Sequence, residues 1–253
     1  MRKIIAIANQ KGGVGKSTVS LHVGGILAEK GKKTLLIDMD QQGNLSSVFV
    51  QNIFSLKFTI ADLLLNSGIS VTDVIQPTQI PHLFILPANL SLSDLDAQLA
   101  GDDDAQYLLT DIIETLSFEE FDFILIDCPP NLGRATRMAL VAAQTVIIPI
   151  EAQEWAVKGS KQIIAYIEKV KKRANPDLDL SGFVINKMKN RNIERSYRDF
   201  LREAYPHKVF KTELRDNVQY VEATTERKPI NFYLPRSEQA ETFRNLVKEI
   251  FDV

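Results

Sequence analysis

A single cysteine, Cys128, is all the thiol this chain possesses, so a disulfide framework is excluded, as is any cluster needing several thiolates from one chain. Cys128 itself is expected to be a small buried residue beside a strand end. Tryptophan also occurs only once, and the 12 glycines and 10 prolines are scattered. No segment repeats and none is of low complexity, which leaves no visible linker or repeat architecture. No apolar run is long enough to cross a bilayer. The first apolar run follows directly on Met1-Arg2-Lys3, leaving no room for a signal peptide, so a soluble, cytoplasmic protein is expected.

What the chain does have is enough apolar sequence for one sizeable core: 253 residues, 45% hydrophobic and 25% charged. A single unit spanning residues 1–253 is expected. The net charge is only -2, but it is unevenly spread. Residues 1–157 hold 10 Lys and Arg against 18 Asp and Glu, whereas residues 158–253 hold 20 against 14. Basic charge is concentrated towards the C-terminus, a weak pointer to a polyanionic partner.

Residues 11–18 read Lys-Gly-Gly-Val-Gly-Lys-Ser-Thr. The apolar run Ile4-Ile5-Ala6-Ile7-Ala8 precedes them and an apolar helical pattern follows, which is the strand, loop and helix setting of a phosphate-binding loop. In such a loop Gly12, Gly13 and Gly15, with Val14 between them, let successive N–H groups turn onto an anion, and the next helix adds its positive end. Lys16 would reach the β and γ phosphates, Ser17 would ligate the accompanying magnesium, and Thr18 would touch the α phosphate.

Strand-like runs fall at residues 3–8, 33–37, 83–86, 123–126, 145–150 and 182–185. Most are continuously apolar, as strands covered on both faces should be. Helical patterns occupy residues 17–30, 105–116, 135–142, 157–174, 193–204 and 238–251. The alternation predicts an α/β fold with a doubly wound, mostly parallel sheet flanked by helices, binding its ligand at the strand C-termini. Asp127 ends one strand, where a carboxylate would hold a magnesium shell, and Asp38 and Asp40 follow another. Three carboxylates converging on a phosphate loop predict a metal and water site.

Three motifs together, residues 9–18 (Asn-Gln-Lys-Gly-Gly-Val-Gly-Lys-Ser-Thr), 38–44 (Asp-Met-Asp-Gln-Gln-Gly-Asn) and 127–130 (Asp-Cys-Pro-Pro), closely resemble the ParA/Soj branch of the deviant Walker ATPases. These are P-loop NTPases of the SIMIBI type that also include MinD. The resemblance implies ATP and magnesium as cofactors and a homodimer that forms in ATP. It also implies that the extra lysine, Lys11, reaches the partner's phosphates, much as an arginine finger does, with Gly12 in the seam. Asp40 would position the attacking water, and Asp38 would lie near the magnesium. Adenine is favoured over guanine, because Lys189 replaces the aspartate of a guanine-reading Asn-Lys-x-Asp motif; Asn186 could contact the base or be a plain strand-end residue. Gln41, Asn131 and Gln219 depart from residues usual in the family, the last removing an arginine that could contact phosphate.

The function implied is an ATP hydrolase, slow by itself, that partitions chromosomal or plasmid DNA and is stimulated by a ParB-like or cargo-adaptor protein. Positioning of a different cargo and a MinD-like membrane role are the alternatives. Stable membrane association is not expected, since Glu238, Glu241, Glu249 and Asp252 accompany the apolar residues of the last helix. With no extension before the first strand to read an operator, DNA binding is expected to be sequence-independent and the protein nucleoid-associated. Arg195, Arg198 and Arg202 fall on one predicted helix face, opposite Ile193, Tyr197, Phe200, Leu201 and Ala204. Lys187, Lys189 and Arg191 lead into that helix and Arg215 follows it; these seven cations are the candidate DNA contacts.

Overall fold

A computed structural model describes residues 2–66, 68–117, 120–153, 156–189 and 191–253, of which 156–158 by their backbone alone. Among the described residues seven strands form one sheet: β1 (Lys3–Ile7), β2 (Thr34–Asp38), β3 (Gln76–Pro77), β4 (Leu83–Leu86), β5 (Phe123–Asp127), β6 (Thr145–Glu151) and β7 (Asp179–Asn186), in the order β3-β4-β2-β5-β1-β6-β7. All pairings are parallel except that of β3 with β4. The two-residue β3 contains Pro77, which cannot donate to a ladder and so suits a sheet edge.

The helices are α1 (Lys16–Glu29), α2 (Ser46–Phe49), α3 (Ile60–Leu65), α4 (Leu95–Gln98), α5 (Leu108–Glu114), α6 (Arg134–Ala142), α7 (Ala156–Arg173), α8 (Asn192–Ala204), α9 (Val218–Thr225), α10 (Ile230–Tyr233) and α11 (Glu238–Phe251). The six long apolar patterns all appear, with the 105–116 run split into a 3-10 turn, Asp104–Tyr107, and α5. Short α2, α3, α4, α9 and α10 and the edge strand β3 were not anticipated. They are held by local chemistry: Thr59 and Asp62 close a capping box on α3, and the Asn217 side chain accepts from the N–H of Gln219 at the start of α9.

Alternation along the strands divides the apolar side chains between two layers. On β1, Ile4 and Ala6 face the layer that contains residues of α3, α5, α6 and α7. Ile5 and Ile7 face α1, α10 and α11. The last helix belongs to this second layer: Ser237 Oγ accepts from the N–H of Ala240 at 3.1 Å, and Phe243, Leu246, Val247 and Phe251 are buried. Burying four such side chains contributes roughly 1.5–3 kcal/mol each, so α11 is built into the domain. Its expected acidic, core-packed character is what the structure has. Among the described residues no helix is long and apolar enough to cross a membrane.

Candidate active site

The parallel register sets the site. Ile7 on β1 pairs with Asp127 on β5, and Asp127 pairs with Asp38 on β2, so both carboxylates end their strands level with the start of the phosphate loop. The loop then turns on glycines: Gly13 (φ 76°) and Gly15 (φ 93°) are left-handed, a conformation that a Cβ disfavours. At Gly15 a Cβ would also collide with the Asn186 amide. Lys16 opens α1 and is buried; its Nζ donates to the Lys11 carbonyl at 3.3 Å. Burial lowers its pKa, and Asp127 opposes that shift.

Asp38 and Asp127 are fully buried. Desolvation raises the pKa of both carboxyls, opposed by hydrogen bonds from Ser46 on Asp38 and from Ser17 and Ser20 on Asp127. Ser20 Oγ donates to Asp127 Oδ1 at 2.9 Å, while Asp127 Oδ2 is buried without a hydrogen-bond partner. Asp38 Oδ2 accepts from both the N–H (2.9 Å) and Oγ (2.7 Å) of Ser46, and Ser46 Oγ in turn accepts from the Ala88 N–H at 2.8 Å. Asp40 N–H donates to Asp38 Oδ1 at 3.0 Å, and the nearly buried Asp40 carboxylate accepts from the Gln42 N–H. Cys128 is buried, as expected, and its thiol pKa is pushed up by desolvation.

A cavity of about 500 Å³ opens over this loop, lined by Gly12, Gly13, Gly15, Lys16, Ser17 and Thr18, by Asp40, and by Asn44, Ser47, Pro130, Lys187 and Thr224. A cavity of about 670 Å³ lies elsewhere, beside Arg134, Arg137 and Tyr166, but only the first is walled by a phosphate loop and so has the donors a polyphosphate requires.

The sequence comparisons agree with this geometry. An AAA domain family matches residues 2–180. The chain is similar to the sporulation initiation inhibitor protein Soj of Bacillus subtilis (strain 168), 36% identical over 251 residues, which cover 99% of this chain and 98% of that protein. It is also similar to the chromosome partitioning protein ParA of Myxococcus xanthus (strain DK1622), at 34% identity over 98% of this chain and 87% of that one. This chain belongs to the ParA/Soj-type P-loop ATPases. It is accordingly an ATP hydrolase of the ParA/MinD family. Among solved structures it resembles cobyrinic acid a,c-diamide synthase from Mycobacterium smegmatis with bound ADP and magnesium, with a TM-score of 0.86 and 28% identity over 98% of this chain and 93% of that one.

This cleft suits a magnesium ion riding on a phosphate chain. Hydroxyl and carboxylate oxygens are hard donors of the kind that ion prefers, and Asp127 Oδ2 is a buried acceptor that meets no hydrogen-bond donor in good geometry among the described residues.

Asn186, Lys11 and Lys187 make contacts that the sequence did not show. Asn186 does not line the cavity: its Nδ2 donates to the Val14 carbonyl at 2.8 Å, so it braces the loop instead of facing an open base site. Lys11 is exposed, and its Nζ donates to Gln153 Oε1 at 2.7 Å and lies 3.6 Å from Glu151. The same Glu151 pairs with Lys187 at 3.3 Å, and Lys187 Nζ donates to the Gly13 carbonyl at 2.6 Å. Lys187 thus belongs to the loop. Sequence reasoning missed Ser20, Ser46 and Thr224. The hydroxyl four residues after Lys16 was a usable signal for Ser20, whereas Thr224 sits on a helix that was not recognised.

The expected orientation of α8 is overturned. Of its five predicted inward residues only Leu201 is buried and Tyr197 half-buried; Ala204 is exposed, and Ile193 and Phe200 are 58% and 53% exposed. Arg198 and Arg202 instead reach Glu213, at 3.6 and 2.8 Å. The helix is rotated by about a quarter turn from the predicted orientation, because an ion-pair partner beyond its own sequence competes with the apolar stripe for the inward side. Lys189 pairs with Asp216 at 3.1 Å and Arg215 with Glu238 at 3.3 Å. Arg191 and Arg195 are exposed and have no carboxylate partner among the described residues.

Proposed function

We propose that residues 1–253 work as one ATPase unit that dimerises on ATP, binds double-stranded DNA without reading its sequence and partitions chromosomal or plasmid DNA. Its own hydrolysis is slow and is stimulated by a ParB-like or cargo-adaptor protein. DNA binding would make it nucleoid-associated. The relatives' names, chromosome partitioning among them, support this reading.

The observation that carries it is the contrast between two lysines. Lys16 is buried inside the loop, while Lys11 keeps 53% of its side chain exposed and is held only by Gln153 and Glu151. Lys16 serves the phosphates of its own subunit; Lys11 is free to serve those of a second. A cation delivered in trans stabilises charge developing on the transferred phosphoryl group, and this couples hydrolysis to dimerisation.

Within the site, the loop N–H groups and Lys16 bind the phosphates, Thr18 touches the α phosphate, and Asp40 orients the attacking water. Ser17, Asp38 and Asp127 would hold magnesium, directly or through water. When bound, the ion neutralises phosphate charge. Asn186 keeps the loop in shape beside the adenine end.

Sedimentation of the wild-type chain with and without ATP tests the dimer, with Lys11→Ala expected to lose hydrolysis. A wild-type chain that stays monomeric in ATP overturns the trans role. Transport of a cargo other than DNA is the second reading, favoured by the carboxylate partners already held by Lys187, Lys189, Arg198, Arg202 and Arg215. Titration of nonspecific duplex at rising salt separates the two, since phosphate contacts weaken steeply with salt.

A further inference from the structure

Between Lys57 and Arg134 the chain contains no lysine or arginine, yet the same stretch holds 13 Asp and Glu. Within it, an open cavity of about 520 Å³ separates α3 and the residues after it from α5. Leu108, Asp111, Ile112 and Thr115 recur at the three- and four-residue spacing that lines one face of α5. Leu65 and Ile69 face them across the groove, with Leu99 and Asp102 at its edge. Leu65, Ile69, Leu99, Leu108 and Ile112 are all only partly buried. No basic side chain lines the groove, and neither Asp102 nor Asp111 has an ion-pair partner among the described residues.

We propose that this groove docks a segment of another protein that presents an apolar helix face flanked by lysine or arginine. Apolar walls provide the burial that drives such docking, and acidic rim residues that hold no ion pair among the described residues select the sign of the partner's flanks. A second copy of this chain fits less well. Its own exposed apolar pair on α8, Ile193 and Phe200, stands among Glu194, Asp199 and Glu203 as well as Arg195, Arg198 and Arg202, a mixed face whose Arg198 and Arg202 are already ion-paired, so it lacks the uniform basic flanks that the rim selects. The groove lies away from the phosphate loop, so docking here is independent of the DNA reading above.

The test uses the full chain and two synthetic 14-residue amphipathic helices, with leucine at every third and fourth position and either lysine or glutamate elsewhere. Fluorescence anisotropy should show the lysine peptide binding at least about tenfold more tightly than the glutamate peptide. Two variants, Asp102→Lys with Asp111→Lys and, separately, Ile112→Asp, should each weaken the lysine peptide by at least about tenfold. Both variants should keep wild-type ATP affinity, which shows that they fold. Equal binding of the two peptides, or wild-type binding by either variant, overturns the proposal. Concentration-dependent self-association of the nucleotide-free chain that Ile112→Asp abolishes would also overturn it, by giving the groove to a second copy.

Discussion

The nucleotide cleft and helix α8 both gather charge, and they treat it in opposite ways. In the cleft, Lys16, Asp38 and Asp127 are buried, and desolvation shifts the pKa of all three towards the neutral form. On α8, Arg198 and Arg202 share Glu213 at the surface, with side chains 24% and 36% exposed. A buried charge that loses its partner costs several kcal/mol, whereas a surface pair contributes about 0–1 kcal/mol, and the half-buried pairs of α8 lie nearer the second case. Cleft charges are therefore fixed to one task, while those of α8 can exchange a carboxylate for a phosphate at little cost.

The strongest way to break this contrast is in the cleft. Asp40→Ala should lower ATP turnover by about a thousandfold while leaving ATP binding and dimerisation in place, because the loop is untouched and only the water loses its orienting group. Single-turnover kinetics alongside sedimentation in ATP checks it, and a monomeric variant would move Asp40 from chemistry to assembly. Lys16→Ala should weaken ATP by about a hundredfold, since a hydrogen-bonding cation is worth about 1.5–3 kcal/mol. Calorimetry showing unchanged affinity would remove Lys16 from the phosphates.

Behind the loop, His22 provides a test of burial by pH. Its ring packs against Tyr220 and Phe243, Nδ1 accepts from the Ile230 N–H at 3.1 Å, and desolvation lowers its pKa from 6.5 to about 3. Because the folded pKa lies below the unfolded one, the stabilisation is complete above pH 6.5 and is lost as pH falls towards 3. At pH 4.5 the loss should be about 3 kcal/mol. His22→Leu should cost stability at pH 7, by leaving the Ile230 N–H unpaired, but should flatten the decline below pH 6.5. Urea unfolding at pH 7 and 4.5 measures both, and an equal decline in the variant would assign the acid sensitivity to other groups.

The surface effects should be smaller. Arg191→Glu with Arg195→Glu reverses the two of the seven candidate contacts that have no carboxylate partner among the described residues and should weaken nonspecific duplex binding by at least about tenfold, with a shallower salt dependence; retained binding would move the DNA site elsewhere. Glu213→Gln should change stability by less than about 1 kcal/mol while freeing Arg202 and leaving Arg198 paired with Asp199, so duplex binding should tighten slightly. Denaturation and DNA titration of the same variant sharpen the contrast, and a large stability loss would show that the pairs behave as buried ones.

The same contrast explains what could be read from sequence. Strands such as 123–127 are apolar at nearly every position because both sheet faces are covered, and the loop's glycines announce a backbone conformation directly. Asp38, Asp40 and Asp127 were legible because strand ends point at the loop that follows β1. Periodicity revealed the two stripes of α8 but not its azimuth, which Glu213 decides from 11 residues beyond Arg202. It could not show that Asn186 turns back onto Val14, since that contact joins residues 172 apart. Helix α9, and with it Thr224 in the cavity wall, lacks the length to stand out from its surroundings.

Glu151 touches two cations at once, Lys11 at 3.6 Å and Lys187 at 3.3 Å, and its side chain is only 13% exposed. Were Lys11 its sole partner, each swing of that lysine towards a neighbouring subunit would strand a largely desolvated anion. With Lys187 staying behind, the carboxylate would keep a counter-ion throughout, so on the proposed trans role the departure of Lys11 would be a hand-over between two positive charges with little energetic penalty. The strand end that holds Lys11 would keep its own charge balance whether or not that lysine leaves.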